Sequence, residues 1–463
     1  MKMIDIYSEL TAIIDKDYVS NSKEELYMYG RDPGLMPAHE PEYVVMPTTV
    51  EEVQAIIRLA NREKIAVVPK GGGLSLTGLV IPQKGGILLD MKRMDKIIEV
   101  NEKGGYAIVE GGTTHGALKS HLLKNYPHLR HSIPDSPPIA TVVANAVIHG
   151  QGRLTQQRGF NSDMVSGLEV VLPTSEICKI GSCAVSQYWF SKGPPLPDLS
   201  SLFFGWFGTT GVITKLGIKL YPCKKYRDPV LFLTDKAELV PDIMRKLGRT
   251  EMIEDLVVNA QPIPLRYKDN YYILFYITGD TEEEMEFKRK MCWSALWDYF
   301  EKREGGFVSL VPEMKAPMLS MPSKDTTRFA DVSKGGGFEY SGPIAPIEKY
   351  PVYVKKLIDL AEKYGLFYSS AARMIDGGHS MMFSFSYTFN RADPQTMKRA
   401  KDALDEAAEF AIENGGVMWK PNLDEQKITM AKMDPNTLDL MMRIKKLLDP
   451  NGIMNPGNWE VSK

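Results

Sequence analysis

Gly71, Gly72 and Gly73 stand in a row between Lys70 and Ser75, directly after the apolar run Ile65-Ala66-Val67-Val68. A buried strand therefore enters a loop almost free of side chains. Successive backbone N–H groups are uncovered there, and no Cβ holds an anion at a distance. Taken alone, the glycines also suit a tight surface turn. Their setting argues for more. Tyr43-Val44-Val45-Met46 reads as a short strand stopped by Pro47, and Thr48 and Thr49 ahead of Glu51 and Glu52 have the chemistry of a capping box. Val53, Ile56, Ile57 and Ala60 then repeat at helical spacing. Strand, helix and strand make an α/β unit with the glycine loop at its carboxyl end, where such folds collect ligands. The G-x-G-x-x-G dinucleotide fingerprint is not part of it.

Further along, strands are expected at 86–90, 96–100 and 106–110, a helix at 116–126, and a second glycine-bearing stretch at 139–152. Residues 163–172 read as a strand. The glycine-rich run 202–214 turns into another strand at 216–221. Pro222 and the charged run Lys224-Lys225-Tyr226-Arg227-Asp228 mark a boundary. From there to about 410 the texture changes. Strand-like runs (230–233, 271–277, 381–387) alternate with charged helical runs (281–290, 347–364, 394–413), the pattern of an antiparallel sheet covered by helices, an α+β arrangement. The tail carries an amphipathic helix at 437–448, an Asp449-Pro450-Asn451-Gly452 turn, and Asn455-Pro456-Gly457.

The chain has 463 residues, enough for about two to three domains. With a net charge of -2, no global field draws it to nucleic acid or anionic lipid. The four cysteines, Cys178, Cys183, Cys223 and Cys292, form neither a C-x-x-C pair nor an iron–sulfur spacing. The opening residues lack a signal-peptide profile, and no window of about 20 apolar residues exists for a membrane span. A cytoplasmic, reduced protein is expected.

Four blocks now carry a family likeness: Pro69-Lys70-Gly71-Gly72-Gly73-Leu74-Ser75-Leu76-Thr77-Gly78, Gly167-Leu168-Glu169-Val170-Val171-Leu172-Pro173-Thr174, Gly208-Thr209-Thr210-Gly211-Val212-Ile213-Thr214, and 448–457 with its Asn455-Pro456-Gly457. In this order they resemble FAD-linked oxidases and dehydrogenases of the vanillyl-alcohol oxidase superfamily, close to the glycolate oxidase FAD subunit and D-2-hydroxyacid dehydrogenases. The resemblance implies a two-part PCMH-type FAD-binding domain, residues 1–225 completed by 413–463, with an inserted antiparallel cap, 226–412, over the substrate. It gives the diphosphate to Lys70, Gly71, Gly72, Gly73, Leu74 and Ser75. It runs the block from Pro134 and Asp135 to Ala146, with Thr141 and Asn145, along the flavin. Asp163 falls near the adenosine or flavin edge, Gly208, Gly211 and Ile213 lie against the cofactor, and Asn455 approaches the ring.

Leu74 stands where some relatives carry the histidine that bonds covalently to FAD, so non-covalent binding is expected, with His115 and His121 as spare histidines. The metal-binding histidine motifs of some relatives are reduced here to His379, and no metal site is expected.

For an alcohol or hydroxy acid oxidised at the flavin, Arg373 is the candidate carboxylate clamp or else a surface ion pair. His379 is the candidate base or else an ordinary cap histidine. Trp419 and Lys420 lie where the chain returns to the flavin domain and are similar to the Tyr-Arg pair of the phenol-oxidising branch. Tyr387 is core or pocket wall. Arg153, Arg158, Gln156 and Gln157 are pocket, dimer or loop residues, and His149 is a second candidate base. The leading expectation is an FAD-dependent dehydrogenase of a 2-hydroxy acid. Its electrons pass to an iron–sulfur subunit, an electron-transfer flavoprotein or another acceptor, and a homo-oligomer is one expected state. The alternatives are a para-hydroxybenzyl alcohol or alkylphenol oxidoreductase and a non-redox transferase similar to alkylglycerone-phosphate synthase.

Overall fold

A computed structural model describes residues 5–260, 270–319 and 335–460. The opening residues 1–4, on which the leader expectation rests, lie outside the described residues. Three short strands, Tyr43–Val45, Ile87–Asp90 and Val67–Lys70, run parallel, with Ile87–Asp90 in the middle. The helix Val50–Glu63 crosses between the first and last of them. Thr49 accepts from the Glu52 amide, and the Glu52 carboxylate accepts from the Thr49 amide, which supplies both ends of the capping box. Val53, Ile56, Ile57 and Ala60 are buried on its inner face. Lys64, at φ 56°, ends it in the left-handed region.

The tail returns to this sheet. Ile453 and Asn455 exchange backbone hydrogen bonds with Val67, whose N–H donates to the Ile453 carbonyl (2.7 Å) and whose carbonyl accepts from the Asn455 N–H (2.8 Å). Met454 thus lies parallel to Val67 as one more rung beside the glycine loop. Asp449 fixes the approach: its carboxylate accepts from the Ile453 and Met454 amides, both at 3.0 Å, and pairs with Lys445 at 2.5 Å.

A second, antiparallel sheet orders its strands Ile97–Asn101, Tyr106–Glu110, Val212–Lys219, Val165–Val171 and Ile177–Ile180. Val165–Val171 is buried along its whole length, and Val171 and Val212 also pack into the core of the first sheet. The strand expected at 216–221 begins earlier, at Val212. Gly211, at φ 154° and pressed against the Val171 carbonyl, turns the chain into the sheet without a lead-in.

Residues from Tyr226 to Met418 build a ten-stranded sheet with helices packed on it. The helix expected over 281–290 runs twice as far, Glu282–Glu301, because Met285, Cys292, Leu296 and Tyr299 keep one face buried. The single strand expected over 381–387 is two strands, Ser380–Phe383 and Phe385–Asn390. Ser384 exchanges hydrogen bonds with Ala371, and the chain changes partners there. Tyr387 belongs to the core: it is fully buried and its hydroxyl donates to the Leu357 carbonyl. No helix among the described residues is long and apolar enough to cross a membrane.

Removing the buried Asp449 carboxylate leaves the half-buried Lys445 without its counter-ion and two amides without an acceptor. Asp449→Ala is expected to cost about 3–5 kcal/mol, read as a lower urea midpoint, with faster amide exchange at residues 453–455.

Candidate functional site

The glycine loop is held against its neighbours more closely than any side chain permits. A Cβ on Gly71 would lie 2.4 Å from the Thr141 hydroxyl oxygen, and one on Gly72 2.9 Å from the Ile139 carbonyl. Gly208, at φ 77°, comes equally close to the Pro69 ring. Asn455 ties the arrangement together. Its side-chain amide donates to the carbonyls of Leu79 (2.9 Å) and Phe207 (2.6 Å). Segments distant in sequence therefore meet at the carboxyl end of Val67–Lys70.

Polar atoms without a protein partner collect along the same segments. The hydroxyls of Thr77, Ser136 and Thr210 and the side-chain oxygen of Asn455 are buried and unpaired. Each such group costs about 1–3 kcal/mol unless a ligand or water meets it. Bare loop amides beside unpaired hydroxyls fit a diphosphate, which takes many donors and tolerates little bulk. The residues present thus fit FAD. Lys70 stands at the loop entrance with its ammonium 4.6 Å over the Tyr29 ring, and burial lowers its pKa despite nearby Asp90 and Asp32. Leu74 and Ser75 continue the half-buried loop.

Thr141 caps the helix Val142–Val147, and the Asn145 side chain accepts from the Asn161 amide one turn on. Pro134 is buried beside this block. Ile213 is buried at the start of its strand, next to Gly211. Asp163 accepts from the Phe160 amide and closes a turn at the surface.

The ten-stranded sheet, whose last strand Val417–Met418 lies past the expected cap boundary at 412, reaches this site through the two residues that follow that strand. The Trp419 indole N–H donates to the carbonyls of Ile148 (2.7 Å) and His149 (2.9 Å). The Lys420 ammonium donates to the Ser75 carbonyl in the glycine loop at 2.5 Å. That ammonium lies 4.6 Å from the Tyr340 ring centre and 5.0 Å from the Trp419 ring centre. Lys420 takes φ 44°, a conformation that costs a non-glycine residue about 1–3 kcal/mol and marks a position held by its surroundings. His149 is wedged nearby, with Nδ1 2.8 Å from the Ser162 hydroxyl, and burial lowers its pKa.

Arg373 has a different setting. Its guanidinium pairs with Asp135 (2.5 Å) and Asp255 (3.2 Å), and Arg153 pairs with the same two carboxylates at 3.2 and 3.4 Å. The four residues close a ring. Asp135 and Arg153 come from the amino-terminal half, Asp255 and Arg373 from the ten-stranded sheet. The Arg153 and Arg227 guanidinium groups both stack on Tyr276, 4.8 and 4.3 Å from its ring centre. Burial pushes the Asp135 carboxyl up, and the charges of Arg153 and Arg373 outweigh it, leaving a pKa of about 2. At Asp255 burial wins and the shift is upward. Arg373 thus sets its charge against two carboxylates of the protein, with hydrogen bonds from one terminal nitrogen and its Nε buried without one.

His379 is exposed on the turn after Asp376–Gly378, away from Trp419 and Lys420 in the pairing of the sheet. Arg158 and Gln157 are exposed, while Gln156 is buried. Sequence reading passed over Tyr340 and Asp255. Tyr340 alternates with Glu339 and Ser341 in an ordinary-looking strand. Asp255 did leave a signal: the pair Glu254-Asp255 interrupts an otherwise apolar strand, Ile253–Ala260.

Asp255→Ala strips both arginines of a shared counter-ion and is expected to destabilise by about 3–5 kcal/mol in denaturant titration. The pH dependence follows from Asp135. Its folded pKa lies below the usual value of about 3.9, so its contribution is complete above about pH 4 and is lost as pH falls through about 2. Asp135→Asn is expected to flatten the acid side of the stability curve in that window.

Two family models match the chain: "FAD binding domain" over residues 41–181 and "FAD linked oxidases, C-terminal domain" over residues 238–459. The 4-cresol dehydrogenase [hydroxylating] flavoprotein subunit of Pseudomonas putida is 25% identical, covering 96% of this chain and 93% of that one. Glycolate oxidase subunit GlcD of Bacillus subtilis is also 25% identical, covering 95% and 92%. A crystal structure of p-cresol methylhydroxylase with substrate bound superposes with a TM-score of 0.86 at 23% identity, covering 98% of this chain and 96% of that one. The chain belongs to the FAD-linked oxidases of the vanillyl-alcohol oxidase and p-cresol methylhydroxylase family, and is an FAD-dependent oxidoreductase.

Proposed function

We propose that the protein is a flavin-dependent dehydrogenase of para-substituted phenols, either 4-alkylphenols or 4-hydroxybenzyl alcohols. The observation that carries this reading is the Lys420 ammonium, anchored on the glycine loop and flanked by the Tyr340 and Trp419 rings. Bound flavin supplies a two-electron acceptor for hydride at N5. An ammonium has three donors. With one on Ser75, Lys420 retains donors for a phenolate oxygen, and the two rings offer apolar walls for an aromatic ring. Holding the oxygen as phenolate raises the electron density at the para position, which eases loss of hydride from the benzylic carbon. The hydroxyl proton passes to solvent. The name of the 4-cresol dehydrogenase relative agrees in chemical class.

A 2-hydroxy acid is the second reading, favoured by the glycolate oxidase and D-lactate dehydrogenase relatives. It needs a carboxylate clamp, and the charge of Arg373 is already balanced by Asp135 and Asp255, which leaves Lys420 for that role too. Reducing equivalents leave to a separate protein acceptor, an iron–sulfur subunit or an electron-transfer flavoprotein. Flavin is held without a covalent bond, so acid precipitation is expected to release the yellow colour into the supernatant.

The test is anaerobic bleaching of the flavin. 4-Methylphenol or 4-hydroxybenzyl alcohol is expected to bleach it, and D-lactate and glycolate are expected to leave it oxidised. The reverse pattern establishes the hydroxy-acid reading. No bleaching with any donor overturns both and favours non-redox chemistry. Lys420→Met is expected to lower kcat/KM for the phenol by roughly 10- to 100-fold, the loss of one charged hydrogen bond of about 1.5–3 kcal/mol, with Lys420→Arg retaining most of it.

A further inference from the structure

Gln151 is 4% exposed, and neither its Nε2 nor its Oε1 has a hydrogen-bond partner. A carboxamide presents a donor and an acceptor side by side. Exchanging the two atoms changes nothing, because both are unpaired. A buried amide left in this state is costly, so the position is built for something that pairs with it.

Its place in the fold says what. The helix Val142–Val147 starts at Thr141, against Gly71 of the glycine loop. Six residues of helix rise about 9 Å, and Gln151 follows beyond that far end. The chain there is pinned to the cap by the Trp419 indole on the Ile148 and His149 carbonyls. On its other side it runs beside the segment leading to Pro134. Arg153 N–H donates to the Ile133 carbonyl at 3.1 Å, and a Cβ on Gly152 would lie 2.4 Å from the Ser132 hydroxyl oxygen, itself buried and unpaired. Gln151 therefore lies at the cap-facing end of the cofactor block, one helix length from the diphosphate loop.

We propose that the Gln151 carboxamide pairs with the imide edge of the flavin pyrimidine ring, Nε2 donating to a ring carbonyl and Oε1 accepting from N3–H. The proposal rests on FAD being the cofactor and not on the choice of substrate. A diphosphate offers only acceptors and would leave Oε1 unpaired, whereas an imide offers the complement of both atoms. Gln151 is a positioning residue, fixing the ring relative to Lys420.

The test compares FAD with 3-methyl-FAD, in which N3 carries no proton, on refolded or stripped apoprotein. Gln151→Leu is expected to weaken FAD binding roughly 10- to 100-fold while leaving the melting temperature of the apoprotein unchanged or higher, since it removes an unpaired buried amide. The wild type is expected to bind 3-methyl-FAD more weakly than FAD by a similar factor, and Gln151→Leu to show no such difference. Equal loss of stability in apoprotein and holoprotein would make Gln151 a structural strut and overturn the proposal. So would unchanged FAD affinity, or a variant that still discriminates against the methylated flavin. If the leucine variant does not fold, Gln151→Glu keeps the shape and one acceptor. Its added negative charge is expected to lower the flavin midpoint potential, and an unchanged potential sinks the idea as firmly.

Discussion

The absence of a side chain at residue 71 is the constraint on which the site depends. With 2.4 Å between a hypothetical Cβ and the Thr141 oxygen, even alanine would push the loop off the cofactor block. The same requirement recurs at Gly72, which meets Ile139 and Ala140 of the same segment, and at Gly208, which lies against Pro69 at the loop's entrance. The main-chain amides it offers are usable only because these approaches hold it in one shape, and Asn455 fixes its exit by gripping Leu79 and Phe207 together.

Above that loop the cap is positioned by two unlike devices. One is directional and small: the Trp419 indole and Lys420 ammonium reach main-chain carbonyls across the boundary. The other is electrostatic: Arg153, Asp135, Arg373 and Asp255 neutralise each other in a closed ring with members from both sides. Asp255 and Arg373 are buried while the Asp135 side chain is 40% exposed, and a largely buried ring of this kind adds little net stability over an apolar contact of the same shape, but breaking it leaves uncompensated charge. That suits a lid whose placement over a flavin matters more than the strength of its grip.

Much of this was legible in the sequence. The glycine loop, the capping box at Thr49 and Glu52 and the return of the tail are local or motif-borne, and local patterns survive in any tertiary setting. The FAD-linked family was readable for the same reason. What escaped depends on pairing across the fold. Arg373 reads as a free clamp until Asp135, far upstream, is seen against it. Tyr387 reads as a possible pocket wall until its hydroxyl is found on Leu357. Tyr340 carries no motif and gains its role only from the strand register that sets it beside Trp419. The helix starting at Glu282 is legible over its charged run to 290, and its second half follows from the burial of Cys292, Leu296 and Tyr299, which the charge pattern does not carry.

The rung formed by Met454 beside Val67 has a consequence for folding. The strand that leads into the glycine loop is joined by residues almost four hundred positions further along the chain. Until residues 453–455 fold back, Val67 lacks its main-chain partners at this edge. Closing this edge is therefore a long-range contact, and its loop-closure entropy is set by the whole intervening stretch of chain.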